Sequence, residues 1–299
     1  MQAIKNGFRF ISASLALALK KVKLQEPWFA LGLGSLVILF FWFLPIGVVV
    51  GLIGLTPLGL ILIGALALLA LVDLLIWGDI TSLLTCRTFA SLESEEPAEN
   101  PSNFKFLISH TGAVILLALT VPLLSLGRTL KNLFAKPDSA QDDKNRWLEA
   151  QTLALPVIAV EGTSFQETLD RLRQIVKDNL LRFRESLIGV RLVAGLIEAL
   201  LIVGGIALGF VIGLKITEPT SGDPWARVLA AGIAMLVAWV PAIIGIMFST
   251  FSRACYATAL YQWVCNVAEA RASNDTTKAR PPMILANVLG TTSQGKKED

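Results

Sequence analysis

From Trp28 to Gly78 the chain runs fifty-one residues with a single charge, Asp73. A helix crosses the hydrocarbon core of a bilayer in about 20 apolar residues, so this stretch predicts a hairpin of two membrane-spanning helices. Gly51, Gly54, Thr56 and Pro57 cluster between its halves and predict the turn there. Composition agrees. Of 299 residues, 54% are hydrophobic and only 16% are charged, with a mean hydropathy of +0.64, against about 25% charged in an ordinary soluble domain. The reading is an all-α polytopic transmembrane helix bundle: one domain over residues 1–270, then a polar tail over 271–299.

The apolar runs predict six spans, near 28–51, 57–78, 106–126, 145–160, 187–214 and 228–251, the last kinked at Pro241. Trp28, Trp42 and Trp77 include candidate interfacial anchors. Ahead of the first span, residues 4–22 form an amphipathic helix, read as interfacial, with Ile4, Phe8, Ile11, Leu15 and Val22 on one side. Lys5, Arg9, Lys20, Lys21 and Lys23 place this end in the cytoplasm, and an even number of spans returns the other end to the same side. Three of those lysines follow the short apolar stretch, so a cleaved signal peptide is not expected. The expected location is the inner membrane of a prokaryote. The connection 128–146 carries five cations and three aspartates, and six spans put it outside. Four full spans with a re-entrant pair at 106–160 would put it inside, and six is the preferred count.

A second amphipathic helix is predicted over 163–184. Ser164 and Glu167 form a capping box at its start. Phe165, Leu169, Leu172, Val176, Leu180 and Phe183 then make an apolar stripe, while Arg171, Arg173, Lys177, Arg182 and Arg184 lie largely outside it. Such a helix can lie on a membrane surface with its cations toward anionic headgroups. The plainer alternative packs the stripe against the rest of the protein.

Polar residues inside apolar spans are costly and mark candidate sites. Glu198 sits near the middle of the fifth span with Arg191 two turns earlier, suited either to a proton or cation relay or to a structural hydrogen bond. Asp73 is nearer its helix end, where capping is the plainer role. His110 reads as an interfacial hydrogen-bonder, and Glu161 as a helix terminator able to pair with a cation of the following helix. Gly205, Gly209 and Gly213 recur every four residues and predict close helix packing, against this chain or another.

The net charge of +3 is too small to suggest nucleic acid. Cys86, Cys255 and Cys265 have no paired spacing and His110 is the only histidine, so neither metal nor disulfide framework is expected. No P-loop, dinucleotide fingerprint, HExxH or GxSxG motif occurs, and no cofactor is expected.

The segment Leu153 to Gly162 with its Pro156 and Glu161, the basic helix 4–22, Trp147, and Leu260-Tyr261 near the end of the last helix together carry a resemblance. The chain is similar to uncharacterised six-helix prokaryotic membrane proteins related to the membrane domain attached to some glycerophosphodiesterases. It departs from their pattern at Leu172 and Gln174, where relatives carry a small residue and Ser. The resemblance implies a fold and a membrane location, and no activity. Two functions follow as expectations. One is a non-enzymatic scaffold or accessory subunit, binding anionic lipid and partner membrane proteins or further copies of itself. The other is a small transporter or channel built on a mid-membrane acidic site.

Overall fold

The structure is a computed structural model that describes residues 2–53, 56–93, 103–134, 152–177, 184–217 and 224–289. These form α1 (Gln2–Lys20), α2 (Val22–Ile53), α3 (Pro57–Glu93), α4 (Asn103–Phe134), α5 (Ala154–Glu161), α6 (Phe165–Lys177), α7 (Arg184–Thr217), α8 (Pro224–Ser273) and α9 (Met283–Leu289). A 3-10 turn, Thr276–Lys278, precedes α9. Among the described residues there is no strand.

Four segments are long and apolar enough to cross a membrane: Val22–Val49, Pro57–Leu92, Gly189–Ile212 and Val237–Ser273. The six-span count is therefore met by four helices among the described residues. The apolar part of α4, Lys105–Thr120, is shorter. α5 has eight residues, about 12 Å of helix. Its Pro156, Val157 and Ile158 are buried by other helices, so its apolar character serves a protein core. Residues 135–151, which hold most of the polar connection and the first part of the expected fourth span, lie outside the described residues.

The predicted hairpin is present, with α2 and α3 antiparallel and the turn between Ile53 and Pro57. Two indoles staple it. Trp42 Nε1 donates to Asp73 Oδ2 over 2.8 Å, and Trp77 Nε1 donates to the Ala30 and Leu31 carbonyls over 3.2 and 3.3 Å. Trp42 and Trp77 thus bond within the hairpin, and Trp77 lies against Gly34.

α7 and α8 form the second antiparallel pair, on a glycine-lined seam. A methyl group at Gly205 would collide with the Ala238 carbonyl of α8, and one at Gly245 would stand 3.3 Å from the Glu198 carbonyl of α7. Missing side chains on both helices bring the backbones together. α2 and α8 run through Pro45 and Pro241 as single helices, and Pro156 falls in the first turn of α5, where its missing N–H is harmless.

α8 has fifty residues, about 75 Å of helix against a hydrocarbon core of about 30 Å. Its first half and the apolar halves of α2, α3 and α7 carry exposed groups such as Phe41, Leu68, Leu200 and Val240. The second half is buried in a protein core. There Phe251, Cys255, Leu260 and Tyr261 pack with Phe10 of α1, Leu83 and Phe89 of α3, Ile158 of α5, Leu172 of α6 and Val193 of α7. The chain is thus a lipid-facing bundle standing on a helical base. Residues 276–289, read from sequence as part of a polar tail, fold back along this base. Trp263 Nε1 donates to the Ala279 carbonyl, Asn266 Nδ2 to that of Arg280, and Ile284, Leu285 and Val288 are buried.

Candidate functional site: a charged cavity among the spans

A cavity of ≈ 490 Å³ lies between α2, α3, α7 and α8, touched by the start of α5. Its walls are mostly apolar, with Leu39, Leu71, Leu75, Trp239 and Ile243 among them. Four charged side chains also reach it: Asp79 from α3, Arg191 and Glu198 from α7, and Arg253 from α8. Ser35, Ser82 and Thr250 add hydroxyls.

The partner of Glu198 is Arg253. Arg253 Nη2 donates to Glu198 Oε2 over 3.1 Å, with the carboxylate the better covered of the two. The pair is placed by the glycine seam, since Gly245 packs on the Glu198 backbone and a methyl group at Gly195 would stand 3.3 Å from Arg253 Nη2. Arg191, the partner suggested by spacing, lines the same cavity and is not in this ion pair. Asp73 lies outside the cavity wall, on the indole of Trp42. Asp79 and Arg253 were not singled out from sequence. Both stand just past the ends of the apolar runs, on stretches where the sequence suggests that the helices continue, and α3 and α8 do run through them.

A second polar cluster ties the base together. Glu161 ends α5, and Gly162 follows with φ 66°, the left-handed conformation that glycine adopts without strain. Glu161 Oε1 accepts from the Tyr261 hydroxyl and from Arg171 Nε, the latter over 3.1 Å. The contact with the Tyr261 oxygen, and the nearby Glu161 carboxylate, push the Arg171 pKa above its ordinary value against the desolvation of partial burial. Beside it the Phe106 ring lies between two partners. The Arg87 guanidinium sits 3.8 Å above its centre, and the His110 ring stacks at 4.2 Å. His110 Nε2 lies 3.1 Å from the Gly162 carbonyl, and its Nδ1 lies 2.9 Å from both the Ser109 hydroxyl and the Phe106 carbonyl. His110 thereby joins α4 to the turn after α5.

The lipid-surface reading of 163–184 is not supported for the part described. In α6 the buried seam is Thr168, Leu172 and Ile175, flanked by the partly buried Phe165 and Val176. The protein itself covers this face. Arg171 is engaged by Glu161, and Arg173 pairs with Asp170 over 2.8 Å. Lys177 is exposed; Leu180, Arg182 and Phe183 lie outside the described residues, and Arg184 begins α7. The capping box is formed, with Ser164 N–H donating to Glu167 Oε2 over 2.8 Å. Of the glycine strip, Gly205 and Gly209 are buried, and the neighbour of Gly205 is α8 of the same chain. Gly213 continues their register one turn on.

Among the described residues no group of His, Cys, Asp and Glu is arranged to hold a metal ion. Searches of family models, curated proteins and solved structures found no match to this chain.

Proposed function

We propose that this multi-pass membrane protein works without catalysis, by binding a small amphiphilic molecule in the cavity among α2, α3, α7 and α8, as a carrier does. The observation that carries this reading is the charge content of the cavity, two acids and two bases inside an otherwise apolar bundle. Charged side chains at membrane depth are rare and face functional interiors. The site is formally neutral, so at low dielectric it favours a ligand that is neutral overall and carries both signs. Apolar walls from Leu39, Leu71, Leu75 and Ile243 suit a hydrocarbon tail on that ligand. A zwitterionic amphiphile with an ammonium and an anionic group meets these demands.

The topology that goes with this reading has four full spans and both ends in the cytoplasm. The five cations before the first long span support the orientation. The packing of α1 against α9 supports having both ends on one side. The short apolar part of α4 and the buried α5 fit the re-entrant arrangement of 106–160 better than two further spans.

The test is a photoreactive phosphatidylethanolamine analogue in proteoliposomes. The proposal expects crosslinks on α3, α7 and α8 around Asp79, Glu198 and Arg253, competed away by the unlabelled lipid. Crosslinks confined to outward residues such as Phe41 and Leu68 would count against it. The scaffold reading draws on the broad exposed apolar faces of α2 and α3. It would gain if gentle purification brought down a stoichiometric membrane polypeptide and no small molecule.

A further inference from the structure

α1 presents three distinct faces. Gly7, Phe10, Ile11, Ser14 and Ala18 are buried against the protein. Next to them lies an apolar stripe that nothing in the chain covers: Ile4 is 42% exposed, Phe8 54% and Leu19 73%, with Leu15 partly covered at its edge. At 100° per residue these four positions fall within an arc of about 60°. Beyond the stripe come Lys5, Arg9 and Lys20, all exposed and, among the described residues, in no ion pair. α1 contains no acidic residue.

The helix is also fixed in level at two points. A methyl group at Gly7 would stand 2.6 Å from the Gly189 carbonyl, so the two backbones touch there, and Gly189 is where the apolar segment of α7 begins. The other end of α1 reaches α2 across Lys21 alone, and the apolar segment of α2 begins at Val22. Between those points α1 rises about 20 Å along its own axis. A helix tied at both places to the starts of spans runs along the boundary of the membrane and does not cross it.

We infer that α1 is the element that lies in the bilayer interface, with Ile4, Phe8 and Leu19 among the acyl chains and Lys5, Arg9 and Lys20 at anionic headgroups. The occupant is the lipid surface because α1 runs across Lys21 directly into the first long apolar helix, where Val22, Phe29 and Leu33 are exposed in turn. The bordering cations complement anionic phosphate. This inference is independent of the cavity.

The experiment uses the full chain in nanodiscs of mixed phosphatidylcholine and phosphatidylglycerol, spin-labelled after Phe8→Cys, Leu19→Cys or Ala16→Cys. The unsubstituted chain, with its buried Cys86 and Cys255 and partly buried Cys265, provides the background. Labels at positions 8 and 19 should collide several-fold more with lipid-soluble oxygen than with an aqueous nickel chelate, and the label at position 16, on the cationic side, should do the reverse. Equal behaviour at all three positions overturns the placement. Lipid analysis of the combined Lys5→Gln, Arg9→Gln, Lys20→Gln chain gives the second readout. Each cation near the surface adds a roughly fivefold preference for anionic lipid, so phosphatidylglycerol retained by the chain should fall toward its bulk fraction. Unchanged retention overturns the role given to the cations.

Discussion

Arg253 reaches Glu198 across fifty-five residues of sequence and closes one side of the cavity with an ion pair 3.1 Å long. The glycine seam sets its geometry, because the missing side chain of Gly245 lets α8 pack directly on the Glu198 backbone of α7. A double-mutant cycle with Glu198→Gln and Arg253→Gln should give a coupling of roughly 1–2 kcal/mol in thermal unfolding. That is above the usual value for a pair on a water-exposed surface. Additive effects would show that the two groups are solvated independently.

The seam makes a prediction from neighbouring glycines. Gly205 abuts the Ala238 carbonyl, whereas Gly204 faces open space. Gly205→Leu should destabilise the isolated chain by roughly 1–3 kcal/mol through overpacking, while Gly204→Leu should melt as the parent does. Equal melting temperatures for the two variants in detergent would place the contact elsewhere.

Glu161 and Tyr261 hold the base of the bundle, together with Arg171. Tyr261→Phe removes a donor from a half-covered carboxylate and should cost about 1–2 kcal/mol. Leu172→Ala, which opens space at a fully buried position of α6, should cost about 2–5 kcal/mol. Both should speed proteolysis around Gly162. An α6 that lay on lipid would lose little from Leu172→Ala.

The α2–α3 hairpin, its turn, the capping box of α6 and the pairing of Glu161 with a cation of α6 were legible, because each depends on residues close in sequence or on a long uncharged run. The face that α6 buries was not. Its stripe of Phe165, Leu169, Leu172 and Val176 fits lipid or protein equally, and tertiary packing rotated the seam to Thr168, Leu172 and Ile175. Asp79 and Arg253 were passed over for a related reason. Charge ends a hydropathy run, yet these helices are longer than the membrane is thick, and a charge beyond the run still faces the interior. The count of six spans includes α5 in its fourth, and the apolar residues of α5 are buried in a core.

Glu167 gives the start of α6 a pH dependence. Its carboxyl accepts the Ser164 backbone N–H, which holds its pKa below the usual carboxylate value. A depressed folded value means that the cap stabilises α6 above the unfolded pKa of about 4.3 and that this contribution is lost as pH falls through the folded one. Glu167→Gln should therefore lower thermal stability slightly at neutral pH, and the gap from the parent chain should close in acid. A gap that persists at low pH would mean that the charge is not what Ser164 recognises.

The central claim is that the cavity holds a molecule carrying both signs of charge, and native mass spectrometry of the chain extracted from its own membranes tests it most directly. The parent chain should retain one small amphiphile through gentle extraction. The Asp79→Asn, Arg191→Gln chain, similar in shape but stripped of one acid and one base from the cavity wall, should keep its helix content and lose that mass. A parent chain that carries no small molecule, or a variant that keeps the same molecule equally well, would contradict the account.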